Sequence, residues 1–236
     1  MPMRNLVVVF VVLCCGCASY VTPGGPARLE QINRPDVAAE ASRQPTLRLP
    51  ARLAILRIQG RDYRSYSNEG YGSGQFTVLT TQELLTDEQM EAMSKWPSIA
   101  GVAPITRLTL PSRFDSLDDL RVAGARIQAD ILVVYTIETS FRIQGRGYGP
   151  LAAISLGIVP DRDAHITATA SAILIDVRTG FIYGVAEATA KKTGLTNIWS
   201  SGSTVDTKRL EAEEESFTRL FEQLSRTWSG IARQYQ

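Results

Sequence analysis

The order of apolar runs along this chain predicts an α/β fold: a mixed sheet of about five strands with a C-terminal β-hairpin, closed by a long C-terminal amphipathic helix. Three observations carry that expectation. Residues 131–137 (ILVVYTI) form a β-branched-rich run, apolar except at Thr136, the pattern of a buried strand. Residues 166–177 and 181–190 are two alternating runs separated by Arg178-Thr179-Gly180, a short connection ending in glycine that signals a hairpin. Between residues 208 and 235, Leu210, Phe217, Leu220, Phe221, Leu224, Trp228, Ile231 and Tyr235 recur at threes and fours. That spacing predicts a helix of about 28 residues, roughly 42 Å long at 1.5 Å per residue.

The remaining elements follow in order. Residues 52–58 (RLAILRI) read as the first strand, followed by a Gly-, Ser- and Tyr-rich loop over 60–75 and a short extended stretch at 76–80. Thr86 or Asp87 caps a helix through Met90, Met93 and Trp96 that Pro97 stops. Residues 102–110 read as a strand interrupted near Pro104. Ser116 caps a further helix carrying Leu117, Leu120, Gly124 and Ile127 on one face, with Asp118 and Asp119 at its positive end. Ala168, Ala170, Ala172, Gly184, Ala186 and Ala188 make one face of the hairpin small, so the final helix can approach closely there. Glu211, Glu213, Glu214 and Glu215 fall in the first turns of that helix, where negative charge suits the dipole.

All three cysteines of the 236 residues lie in LCCGCASY, residues 13–20. Before them stand a short positive start containing Arg4 and an eight-residue apolar run, LVVVFVVL. Eight residues rise about 12 Å as a helix, far less than the roughly 20 residues that span a bilayer. A positive start, a short apolar run and then small residues are the marks of a secretory signal peptide. Gly16-Cys17 adds a small residue followed by cysteine and resembles the lipobox of bacterial lipoproteins, with Cys14 where that pattern has leucine. Residues 1–16 are therefore expected to be a lipoprotein signal peptide and Cys17 the lipidation site. The resemblance implies a thioether-linked diacylglycerol and an amide-linked acyl chain such as palmitate, and two or more chains anchor stably. Ala18 in place of aspartate points to the outer membrane, facing the periplasm. Residues 17–50, with their five prolines at positions 23, 26, 35, 45 and 50, read as the lipidated cysteine and a flexible tether. Its 33 residues after Cys17 span about 30 Å root-mean-square. Residues 51–236 form the folded domain.

Chemistry-bearing patterns are sparse. The chain has 25 basic and 24 acidic residues, a balance without the basic face that nucleic acid requires. His165 is the single histidine, within Asp161-Arg162-Asp163-Ala164-His165, which reads as a polar loop leading into a strand. No Gly-x-Ser-x-Gly elbow or Ser-x-x-Lys occurs, and the glycine-rich stretches at 70–74 and 145–149 lack the Lys-Ser/Thr of a phosphate loop. No catalytic residue, cofactor site or metal site is assigned. Leu151, Ile154, Leu156, Ile158 and Val159 make an apolar segment in a connection between strands, a candidate contact with another protein.

The hairpin sequence ILIDVRTGFIY (173–183) carries Asp176-x-x-x-Gly180 between two strands ahead of a C-terminal helix. In this it resembles curli-secretion lipoproteins, peptidoglycan-synthase activator lipoproteins and the TolB amino-terminal domain. With ARIQAD (125–130) leading into residues 131–135, the chain looks most similar to the rhombotarget lipoproteins. The resemblance implies a periplasmic, non-catalytic domain: a lipid-anchored adaptor for an envelope protein partner in cell-envelope biogenesis or surface-protein export, with oligomerisation open. A hydrolase using His165 and a subunit of a secretion ring are the alternatives.

Overall fold

The computed structural model describes residues 37–61, 63–65, 70–80, 84–145, 162–196 and 202–236. Cys17, the leader and the apolar segment at 151–159 lie outside the described residues. The elements run α1 (Val37–Ser42), β1 (Ala51–Gly60), β2 (Ser73–Gly74), β3 (Phe76–Leu79), α2 (Asp87–Ser94), β4 (Ile99–Pro104), β5 (Arg113–Phe114), α3 (Leu117–Arg126), β6 (Ile131–Gly145), β7 (Arg162–Asp176), β8 (Ile182–Thr196) and α4 (Gly202–Gln234).

The expected mixed sheet is present, with six strands in the order β3-β1-β6-β7-β8 and β4 beside the first half of β1. β1 runs parallel to β4 (Leu53 opposite Val102) and to β6 (Leu53 opposite Ile131), and antiparallel to β3 (Ile58 opposite Val78). β6, β7 and β8 then form an antiparallel meander, Val133 opposite Leu174 and Ile173 opposite Val185. The short β2 and β5 pair separately.

Two cores flank the sheet. α4 packs on one face, burying Phe217, Leu220, Leu224 and Trp228 against Leu53, Ile55, Val133 and Tyr135. The second core lies under α3, where Leu120 and Ala123 join Leu56, Phe76, Phe114 and Leu132. Residues 131–135 of β6 are apolar at every position because both of their faces are covered at this end, and the run is first broken at Thr136, where the cover on one face stops. Lengths match as well: 33 helical residues rise about 50 Å, and 15 extended residues of β7 or β8 span about the same. The alanine face of β7 and β8 lies under α4 as its small side chains require, and a Cβ on Gly184 would come within 2.7 Å of Thr227 Cγ2. Trp228 is fixed by its indole N–H, which donates to Pro97 O at 2.8 Å.

Thr86 is the N-cap of α2, in a capping box with Gln89: its hydroxyl accepts from Gln89 N, and Gln89 Oε1 accepts from Thr86 N. At α3 the carboxylate of Asp119 accepts from the backbone of Asp115 and Ser116. Three expectations are corrected. The strand placed at 102–110 begins at Ile99 and ends at Pro104, and residues 107–109 form a turn in which Thr109 N donates to Thr106 O. α4 starts at Gly202, so Glu213 lies three turns inside it and is buried, not at a solvated helix start. Residues 43–49, expected in the tether, are bound to the domain as a strap.

That strap is held by the β7–β8 turn. Asp176 Oδ1 accepts from Arg178 N at 2.8 Å and Thr179 N at 3.0 Å, closing the turn, while Gly180 takes a φ of +75° that favours glycine. Asp176 Oδ2 faces the strap, accepting from Thr46 N and Thr46 Oγ1, each at 2.9 Å, and from Tyr183 Oη at 2.8 Å. Tyr183 Oη in turn accepts from Leu47 N, and Arg43 Nη1 donates to Thr179 O. Burial opposes ionisation of Asp176, but the donors from Thr46, Tyr183 and Thr179 outweigh it and hold the carboxyl below the usual carboxylate range.

Candidate binding surface

Strand alternation sends every second residue of β6, β7 and β8 to the face opposite α4. Near the β7–β8 turn these residues are apolar and α3 covers them: Leu132, Val134, Ile173 and Ile175 are all buried. Farther along the same strands the cover ends and the residues become polar. The register sets them in rows. Thr136, Ser171 and Glu187 share the first row, then Glu138, Thr169 and Thr189, then Ser140, Thr167 and Lys191, then Arg142, His165 and Thr193. Glu138, Ser140, Arg142, Glu187, Thr189, Lys191 and Thr193 are exposed.

Cross-strand hydrogen bonds stiffen this open face. Ser171 Oγ donates to Glu187 Oε2 at 2.9 Å, the Thr169 and Thr189 hydroxyls lie 2.9 Å apart, and His165 Nδ1 is 3.3 Å from Thr193 Oγ1. The free edge of β8 is shielded from strand addition by α4: Gln223 Oε1 accepts from Glu187 N, and Arg219 Nη1 donates to Thr189 O.

Where the covered half meets the open half, the twisted sheet leaves a hollow of about 310 Å³. Ile58, Val134, Ile173 and Val185 form its apolar lining, and Thr136, Ser171, Glu187 and Gln223 supply its polar atoms. Val185 stands 67% exposed beside Ile173. A preformed apolar concavity with a few convergent polar groups has the character of a binding site, at the small end of the range of about 300–1,000 Å³.

A second polar cluster lies on the α4 side of the sheet and is closed to solvent. Glu213, Arg209 and Arg57 are 1%, 0% and 4% exposed. Glu213 accepts from Arg57 Nη2 at 3.2 Å, from Arg209 Nη1 at 2.7 Å and from Thr139 Oγ1 at 2.9 Å, and Arg209 Nε donates to Asp206 at 2.9 Å. The Arg57 guanidinium lies 5.6 Å from the Tyr63 ring centre, and burial raises the Tyr63 hydroxyl above its ordinary pKa. The arrangement ties the first turns of α4 to β1 and β6; its two cations face two carboxylates.

His165 sits on the open face, in a row with Arg142 and Thr193, and the contact at its Nδ1 is a threonine hydroxyl. Among the described residues no group of three His, Cys, Asp or Glu side chains is placed to hold a metal, and no helix is long and apolar enough to cross a membrane. Sequence reasoning identified the alanine phase of β7 and β8 and passed over the alternate phase. Thr167, Thr169 and Ser171 interleave with alanines in TATAS, and that was the available signal for an open polar face.

No family model matches the chain, and no curated protein matches it. Among solved structures it is similar to a Xanthomonas campestris protein of family DUF330, at 14% identity and a TM-score of 0.36, over 81% of this chain and 92% of that one. It is also similar to lipoprotein GNA1162 from Neisseria meningitidis, at 14% identity and a TM-score of 0.28, over 72% and 99% of the two chains. A third is the PelC dodecamer from Paraburkholderia phytofirmans, at 12% identity and a TM-score of 0.27, over 76% and 92%. At such scores the reading of the surface rests on its own residues.

Proposed function

We propose that this protein is a lipid-anchored periplasmic adaptor of the outer membrane, attached through Cys17, that binds an envelope protein in cell-envelope biogenesis or surface-protein export. The single observation that carries the binding reading is the open face of β6–β8, a rigid polar surface ending in an apolar hollow that no other described element covers. The leader and Gly16-Cys17, with the resemblance to lipobox-bearing proteins, support the anchor.

The strap gives the proposal a direction. Residues 43–49 join the domain at the Asp176 end of the sheet, so the tether from Cys17 arrives there. β6 and β7 remain paired as far as Gly145 opposite Arg162, about 50 Å from the Asp176 end. In this reading the apolar residues Leu151, Ile154, Leu156, Ile158 and Val159 are a further contact with the partner.

The test is membrane fractionation and in-cell crosslinking with mass spectrometry, comparing wild type with Cys17→Ser. Wild type should cofractionate with the outer membrane and crosslink to an envelope protein, and Cys17→Ser should lose the membrane association. Outer-membrane recovery of Cys17→Ser would refute the anchor, and absence of any envelope crosslink from wild type would refute the adaptor.

A further inference from the structure

The hollow on the open face has a chemistry of its own, and we infer that it takes an apolar side chain of a protein segment whose neighbouring residue is lysine or arginine. The inference deepens the adaptor reading and rests on it. The receiving surface is aliphatic: Ile58, Val134 and Ile173 are buried in the sheet, while Val185 projects 67% exposed at the rim. Its size suits one or two side chains. Glu187 is the one Asp, Glu, Lys or Arg in the lining, and its carboxylate is already oriented across the strand by Ser171 Oγ at 2.9 Å.

Charge on the rest of the face selects the partner. Glu138 is exposed in the next row, about 7 Å farther along the strands, so two carboxylates stand beside the hollow. The basic residues of the face lie beyond them, Lys191 in the third row and Arg142 with His165 in the fourth. Arg219 of α4 reaches the β8 edge, where its guanidinium is engaged by Thr189 O and Glu215. A cation next to an apolar group therefore meets complementary charge at the mouth of the hollow. Phosphate-bearing lipid headgroups meet repulsion there, and the lining has no aromatic side chain except Tyr135, which is buried under α4 and unavailable for stacking on a sugar.

The experiment follows methyl resonances of Val134, Ile173 and Val185 in the full chain carrying Cys17→Ser, titrated with two capped peptides, acetyl-Lys-Leu-Lys-amide and acetyl-Glu-Leu-Glu-amide. The cationic peptide should shift these methyls and bind about three- to fivefold more tightly, the effect of one exposed ion pair. Raised salt should erase the difference, and Glu187→Lys should reverse the preference. Equal binding of the two peptides, no methyl shift with either, or a preference unchanged by Glu187→Lys would each overturn the inference. The adaptor reading fails separately: envelope crosslinks without peptide binding leave it standing and remove only this chemistry, whereas peptide binding without envelope crosslinks does the reverse.

Discussion

Replacing Glu213 by alanine removes the carboxylate that faces two buried guanidiniums. Arg57 and Arg209 are 4% and 0% exposed, and Glu213 accepts from both, at 3.2 and 2.7 Å, as well as from Thr139. Once it is gone, Asp206 remains as a carboxylate beside two desolvated cations. Breaking a buried ion pair on one side costs about 3–5 kcal/mol, and Coulomb attraction at 4 Å with an effective dielectric of 20 gives about 4 kcal/mol. A domain of this size is stable by about 5–15 kcal/mol, so about a fifth or more of the total is at stake. The assay is equilibrium urea unfolding, in which Glu213→Ala should lower the midpoint with the slope unchanged. Glu213→Gln, which keeps the shape and the Thr139 acceptor, should lose less. The combination Arg57→Met, Asp206→Asn, Arg209→Met and Glu213→Leu, which removes every charge of the cluster, should recover to within about 2 kcal/mol of wild type, since a packed uncharged replacement avoids desolvating charge. A loss below about 1 kcal/mol for Glu213→Ala, or a combined variant less stable than the single one, would refute the reasoning.

Asp176→Asn should loosen the strap without unfolding the sheet, raising the rate of native-state trypsin cleavage after Arg48 about tenfold, the equivalent of 1.4 kcal/mol. Because the Asp176 carboxyl is held below its ordinary range, its contribution is complete above its unfolded pKa near 4 and is lost as pH falls through the folded value. Hydrogen exchange of residues 46 and 47 in the wild-type chain should thus be protected from pH 5 to 8 and lose protection in stronger acid; protection unchanged down to pH 2 would contradict the clamp. Gly184→Ala places a methyl 2.7 Å from Thr227 Cγ2 and should cost about 1–3 kcal/mol, which Thr227→Ser should largely restore by removing that carbon. No restoration would show that Gly184 is needed for backbone reasons instead of close helix approach.

Much of the fold was legible in the sequence because its layers obey simple periods. The β6 run announced a buried strand, the alanine phase of β7 and β8 announced close packing by a helix, and Arg178-Thr179-Gly180 announced a tight turn. The charged interior was not legible. Arg209 and Glu213 stand four apart on a helix, the same spacing as a solvated surface pair, and Arg57 differs from the exposed Arg52 on the same strand only through what packs above it. The strap was hidden for a related reason: Thr46 and Asp176 are 130 residues apart, and no local pattern encodes that bond. The open face falls between the two cases. Its threonines are visible in TATAS, but their exposure depends on α3 being ten residues long and covering half of the strands.

The most direct test of the adaptor reading places a photo-crosslinking amino acid at position 185, on the rim of the hollow, and a control at position 108. Leu108 is 95% exposed on the connection after β4, away from the open face. Irradiated cells should yield a discrete envelope-protein adduct from position 185, absent from position 108 and lost with Glu187→Lys. Adducts of equal yield from both positions, or none from position 185, would contradict the claim that this face receives a partner.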